Sequence, residues 1–143
     1  VYPVKDMLFN PEESLSFNGN TGPYLQYMGA RIASILRKAE EQGITPCSDG
    51  LDLLCHESEW ALIKEMQKFP KVVEKAAREY DPSVVATYLY DVSKSFSGFY
   101  RDCPILSLED KKLMSARLAL AECTLTVLKE AMDLVLVPYL PKM

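Results

Sequence analysis

The stretch DPSVVATYLYDVSKSFSGFYRDCPIL, residues 81–106, decides the fold. Its apolar residues recur at steps of three and four, the spacing of one face of an α-helix. Asp81 can cap a helix start, and Pro82 suits the first helical position. Pro104 disfavours a helical conformation in the residue before it, so the helix should end near Asp102. The stripe that predicts this core helix is Val85, Tyr88, Leu89, Val92, Phe96, Phe99 and Tyr100.

The rest of the chain adds further helices, and nothing in it resembles a series of β-hairpins. Ser107–Asp110 has the pattern of a capping box for the last helix. We therefore expect an all-α fold, a helical bundle of about five or six helices with an irregular N-terminal segment. The other helices are predicted at residues 24–41, at 58–69, from Pro70 onwards, and from about 107 to Val135.

The last predicted helix has a broad apolar sector, typical of a helix that touches several others in a bundle. Arg117 lies within that sector, where an unpaired charge would be costly to bury. Glu122 is not placed to pair with it on the same helix. We therefore expect Arg117 to meet a carboxylate from another helix.

Composition describes an ordinary soluble domain: 143 residues, 48% hydrophobic and 25% charged. The net charge of −4 counts against indiscriminate binding of nucleic acid, including DNA. No apolar segment reaches the roughly 18 residues of a membrane span. The four cysteines have no C-x-x-C spacing and there is one histidine, so we expect no metal site and reduced thiols in a cytoplasmic protein.

Residues 1–22 contain prolines and glycines, show no sustained periodicity and begin without an initiator Met. We interpret them as a linker from the end of an upstream domain, and residues 23–143 as the helical bundle. Gly19-Asn20-Thr21-Gly22 lacks the Lys-Ser/Thr of a phosphate-binding loop and is better explained as a turn before the helix.

Two clusters combine aromatic and basic side chains. At about 100° per residue, one flank of the first long helix carries Tyr24, Tyr27, Arg31 and Lys38. Tyr100-Arg101 stands at the end of the core helix. Tyrosines beside cations suit base stacking with phosphate contacts. For the first cluster, the alternative is packing against a neighbouring helix or the missing domain. For Tyr100, the alternative is that its ring closes the core and its hydroxyl makes a hydrogen bond.

Several ordered motifs carry a resemblance over about 120 residues. They are A-x-Y-L-Y-D in the core helix, F-x-x-F-Y-x-x-C-P-I-L across its end, F-x-G-N-T-G-P-Y-L-Q-Y and A-R-I-A-S-I-L-R-K-A before it, and S-A-R-L-A-L, V-L-K-E-A-M-D-L and a final Met after it. Together they resemble the C-terminal DALR anticodon-binding domain of arginyl-tRNA synthetases. The tail departs from that family, because Val135-Leu136-Val137 lacks the family's glycine.

The resemblance implies that the bundle binds the anticodon loop of arginine tRNA and adjoins the parent enzyme's own catalytic domain, to which residues 1–22 would lead. It implies that Tyr27 and Tyr100 stack on bases, with Tyr24 and Met143 as secondary contacts. Arg31, Lys38 and Arg101 would hold nearby phosphates.

No catalytic residues are expected in this chain, because the family's H-I-G-H and K-M-S-K-S signatures are missing. The resemblance implies that the parent is an ATP-dependent arginine–tRNA ligase that uses Mg²⁺, and that this domain holds no cofactor itself. Two alternatives remain at this stage: the related domain of a cysteinyl enzyme, and a helical protein-interaction module.

Overall fold

The computed structural model describes residue 6, residues 8–17 and residues 19–143. Residues 1–5, 7 and 18, which belong to the predicted linker, lie outside this description. The described part contains six α-helices, which confirms the all-α prediction. They are α1 (Pro11–Ser14), α2 (Gly22–Glu41), α3 (Glu57–Met66), α4 (Phe69–Glu79), α5 (Ser83–Asp102) and α6 (Lys111–Leu134), with a short 3-10 helix (Leu51–Leu53) between α2 and α3.

Helix α5 is the centre of the bundle, because it packs against α2, α3, α4 and α6. Six of the seven residues in its predicted stripe are buried, and Tyr100 is half-buried at the end of the stripe. Helix α2 also packs against α6, which closes the core on the other side. The fully buried side chains form one cluster that includes Met28, Ile32, Leu62, Leu89, Phe96, Phe99, Leu118, Leu128 and Met132.

The start of α5 lies one residue later than the sequence predicts. Pro82 precedes the helix, and Ser83 is its first residue. Asp81 still secures the start, because its Oδ1 accepts a hydrogen bond from the backbone N–H of Ser83 at 2.9 Å. The end at Asp102 is confirmed, and Cys103 is extended as the following proline requires.

The predicted capping box at Ser107–Asp110 is wrong. Helix α6 begins at Lys111, and Asp110 is the residue that caps it. One carboxylate oxygen of Asp110 accepts from the backbone N–H groups of Lys112 at 2.9 Å and Leu113 at 3.2 Å. Since the aspartate supplies both bonds, Ser107 stays in the preceding turn. The boundary between α3 and α4 also shifts, because α3 ends at Met66 and α4 begins at Phe69.

The carboxylate expected for Arg117 belongs to Glu59 of α3. Glu59 is 0% exposed and Arg117 8% exposed, and the Arg117 Nε lies 2.6 Å from the Glu59 Oε1. The same guanidinium donates through Nη1 to the carbonyl of Pro104 at 2.7 Å. One arginine on α6 therefore holds both α3 and the connection that follows α5.

Glu59 also fixes the start of its own helix. Its Oε2 accepts from the backbone N–H of His56 at 2.8 Å, while the Nδ1 of His56 accepts from the N–H of Ser58 at 3.1 Å. This reciprocal arrangement is a capping box. His56 is exposed, and its ring caps α3.

An apolar groove runs between the 3-10 helix, α3 and α6. Its volume is about 410 Å³, and Trp60, 50% exposed, forms part of its wall. The other lining residues are Ser48, Leu51, Leu54, Ile63, Met66, Ala119, Leu120 and Cys123. Trp60 thus borders the same groove as Leu51 and Leu54 of the segment that precedes α3.

Replacing Arg117 by Met should destabilise the fold strongly, because it leaves the buried Glu59 carboxylate without its cation. Breaking a buried pair in this way typically costs about 3–5 kcal/mol. Urea denaturation of the chain measures the loss.

The double variant Arg117→Met/Glu59→Gln should recover much of that stability, because it removes the buried charge while the amide oxygen still accepts from His56. A single Arg117→Met variant that unfolds within about 1 kcal/mol of wild type would contradict the assigned pairing.

Candidate nucleic-acid interface

The start of α2 orients the first aromatic cluster. Thr21 caps the helix, since its hydroxyl accepts from the backbone N–H of Tyr24 at 3.3 Å. Leu25 and Met28 then face the core. Tyr27 therefore points outward from the opposite side of the first turns, and it is 42% exposed.

A surface cleft of about 410 Å³ lies beside Tyr27, between α2 and the end of the chain. It is lined by Tyr27, Ala30, Arg31, Ser34, Arg37, Lys142 and Met143. Three residues predicted to form the site, on α2 and in the tail, therefore border one cavity. Three cations around it make this surface locally basic although the chain as a whole is acidic.

Arg31 joins the two aromatic clusters. Its guanidinium carbon lies 4.8 Å from the centre of the Tyr100 ring on α5. On the core side, the Tyr100 ring stacks at 6.3 Å and 15° on Phe96. Tyr27 and Tyr100 are thus on the same side of the molecule, connected through a cation–π contact, and neither is deeply buried.

Tyr24 has a different environment from Tyr27. Its half-buried ring packs on Tyr90 of α5, with ring centres 5.8 Å apart and planes tilted by 52°. Tyr24 therefore connects α2 to α5, and its secondary contact with a base stays a prediction.

Two of the predicted phosphate contacts lie outside the cleft. Lys38 is exposed on α2 but is not among the lining residues. Arg101 is bound to its neighbour, with its Nε 2.7 Å from Asp102 Oδ1 and its Nη2 3.1 Å from Oδ2. Of the three cations predicted for this role, only Arg31 lines the cavity.

Four further residues line the cleft without having been predicted from the sequence: Arg37, Lys142, Ala30 and Ser34. Ala30 and Ser34 stand three and seven residues after Tyr27, on the same side of α2, so helical periodicity could have identified them. Arg37 is two turns beyond Ala30 and carries the same signal. Lys142 lies in the tail, where no periodicity applies.

Asp102 has a pKa lowered to about 2, first because of its hydrogen bonds from Arg101 and next because of the one from Ser58. The Ser58 hydroxyl donates to Asp102 Oδ2 at 2.7 Å. The end of α5 is thereby tied to the first turn of α3, next to the helix turn that carries Tyr100.

The fold and the cleft define an all-helical bundle domain with tyrosine and arginine side chains gathered beside its C-terminal tail. A family model described as the DALR anticodon binding domain matches residues 25–143, and the chain belongs to this family.

Curated relatives agree. The chain is 58% identical over its whole length to a protein named arginine–tRNA ligase from Treponema denticola, of which it covers 25%. It is 45% identical over 97% of its length to the protein of that name from Borrelia turicatae, covering 24% of it. The chain therefore spans about a quarter of the length of these relatives.

Solved structures have the same fold. The arginyl-tRNA synthetase of Thermus thermophilus matches 94% of the chain with a TM-score of 0.84 and 34% identity, over 23% of its own length. The arginyl-tRNA synthetase of Plasmodium falciparum matches 100% of the chain with a TM-score of 0.82 and 27% identity, over 25% of its own length. Within the described residues, no helix has the length and apolar character needed to cross a membrane.

The variant Asp102→Asn should lower the urea midpoint at neutral pH and lose this effect in acid. A carboxylate with a lowered folded pKa stabilises the fold fully above its unfolded pKa of about 4. That contribution disappears as the pH falls through the folded value of about 2. The urea midpoints of wild type and variant, measured at several pH values from about 2 to neutrality, should differ at neutral pH and become equal in acid.

Asp91→Asn, at an exposed aspartate on the same helix, is the matched control and should shift the midpoint little. A difference between Asp102→Asn and wild type that stays constant from neutral pH down to about 2 would refute the pairing.

Proposed function

We propose that this chain binds the anticodon loop of arginine tRNA and forms the anticodon-binding part of an arginine–tRNA ligase. The observation that carries the proposal is the cleft in which Tyr27, Arg31 and Met143 meet, with Tyr100 reached through Arg31. Membership of the DALR family and relatives named arginine–tRNA ligase support it. Those names favour the arginine enzyme over a cysteinyl one.

Recognition would depend on one or a few unpaired bases rather than on a broad basic surface. Single-stranded loops are read by stacking on aromatic rings and by hydrogen bonds to base edges. Tyr27 offers an exposed ring for stacking, and backbone groups of the tail next to Met143 offer donors and acceptors. Arginine anticodons largely share a central C, so a site that reads one extruded base can select the tRNA.

Charge around the cleft would hold the sugar–phosphate backbone. Arg31 and Lys142 line the cavity, and a guanidinium presents several donors to phosphate oxygens. Tyr100 lies beneath Arg31, and their cation–π contact favours the conformation in which the guanidinium lies over the ring. Tyr24, packed on Tyr90, would support Tyr27 by fixing the start of α2. Lys38 and Arg101 would contribute from outside the cavity.

Catalysis would reside elsewhere in the parent protein. The chain spans a quarter of its relatives' length and carries no adenylate-forming signature, so ATP and Mg²⁺ would be used by a catalytic domain joined through residues 1–22. Anticodon binding would orient the acceptor end of the tRNA at that distant site. A cytoplasmic location follows from this role.

Replacing Tyr27 by Ala should weaken binding of an arginine tRNA transcript by about tenfold to a hundredfold, since one stacked base contributes about 1–3 kcal/mol. Titration of the chain with the transcript at fixed salt measures the affinity. A transcript that differs only in the central anticodon base should bind the wild type as weakly.

Tyr80→Ala is the matched control, because Tyr80 is 91% exposed at the end of α4 and does not line the cleft. Equal affinity of the wild type for arginine and unrelated transcripts would overturn the proposal.

A chimera tests the same residue inside a whole enzyme. The matching C-terminal quarter of the Treponema denticola relative would be replaced by this chain, and charging of arginine tRNA measured. The chimera should be active, and Tyr27→Ala should reduce kcat/KM far more than Tyr80→Ala does. Equal effects of the two substitutions would count against a role of Tyr27 in tRNA selection.

A further inference from the structure

The C-terminal tail, residues 135–143, is held against α2 by side chains of that helix. The Gln26 Nε2 donates to the carbonyl of Pro138 at 3.0 Å, and the Arg37 Nη1 donates to the carbonyl of Pro141 at 3.1 Å. These acceptors lie immediately before and just after Tyr139. The backbone is therefore fixed on both sides of one half-buried aromatic ring.

Gly29 lies under that ring. A Cβ at position 29 would be 3.1 Å from two ring carbons of Tyr139, closer than side chains normally approach. Lys129 of α6 makes a cation–π contact with the same ring, with its Nζ 4.8 Å from the ring centre. Glycine is unfavourable in the interior of a helix, so its use within α2 needs a packing reason. The close approach of Tyr139 provides one.

The contacts share one side of the helix. At about 100° per residue, Gly29 and Arg37 fall within roughly 60° of Gln26, so the three residues form a continuous strip along α2. This strip, Gln26, Gly29 and Arg37, is called the tail rail below. Beyond the last of its contacts, Lys142 and Met143 line the cleft.

We propose that the tail rail consists of positioning residues for RNA binding: it holds the tail so that Lys142 and Met143 complete the cleft. This inference rests on the proposed function. A segment fixed in its bound conformation loses less entropy when the ligand arrives, and affinity falls in proportion to the fraction of molecules in which the segment is docked. Arg37 acts on the RNA through the tail, whereas Arg31 meets it directly.

The variant Gly29→Ala tests the tail rail, because its methyl group displaces Tyr139 while the substitution favours the helix itself. Hydrogen exchange of the amides of residues 137, 139, 140, 142 and 143 should accelerate in the chain without RNA. Affinity for the arginine tRNA transcript should fall about tenfold if the docked tail falls to about a tenth of the molecules. The urea midpoint of the bundle should stay equal or rise.

Gly98→Ala is the matched control, since Gly98 is also inside a helix and a Cβ there meets nothing within 4 Å. It should change neither tail exchange nor affinity. Tyr139→Ala should reproduce the effect of Gly29→Ala, and the double variant should be no worse than either single one, because all three release the same contact.

Unchanged tail exchange in Gly29→Ala would overturn the inference, and so would a released tail with unchanged affinity. In either case wild type would still prefer the arginine transcript and Tyr27→Ala would still weaken binding. Failure of the proposed function differs, because wild type itself would then show no preference among transcripts.

Discussion

The pair of Arg117 and Glu59 is the interaction on which the arrangement of the bundle depends. Glu59 accepts from Arg117 with one oxygen and closes the capping box of α3 with the other. Arg117 in turn binds the carbonyl of Pro104, just after α5. A buried charge tolerates few alternative geometries, because any shift leaves part of it unpaired. The pair therefore fixes α3, α6 and the end of α5 relative to one another.

The position of the candidate site follows from that constraint. The end of α5 carries Tyr100, and Tyr100 receives the guanidinium of Arg31. Arg31 borders the cleft whose far side is the tail. The Arg117–Glu59 pair thus anchors the chain just after α5, where Tyr100 stands. Tyr100 contacts Arg31, and Arg31 lines the cavity. These groups stand on helices of the bundle, while the tail is held by side chains of α2 and by Lys129 of α6.

The amino-acid sequence predicts those features that follow from the regular spacing of residues along a helix. The stripe of α5, the flank of α2 with Tyr27 and Arg31, and the need of Arg117 for a partner on another helix all follow from spacing and the cost of burying charge. The helix starts depend instead on which of several nearby side chains caps the free backbone N–H groups. Both Ser107 and Asp110 are capping residue types, and only the backbone decides that Asp110 takes the bonds.

Tertiary partners decide the rest. Tyr24 packs on Tyr90 of α5, a partner that helical spacing along α2 does not reveal. Arg101 instead binds Asp102, its neighbour in the sequence, and so lies outside the cleft. The tail has no regular period, so its path along α2 and the contribution of Lys142 could not be foreseen. The roles of the site residues toward RNA stay predictions from family resemblance and geometry.

The chain has a single tryptophan, and the groove in which it lies shares no lining residue with the cleft of Tyr27. Trp60 is half-exposed beside Met66 and Cys123, so its fluorescence senses the solvent and quenchers of that groove. The chromophore therefore lies apart from the tyrosines of the cleft. Emission from this one indole can therefore report changes where α3 meets α6 separately from changes at the cleft.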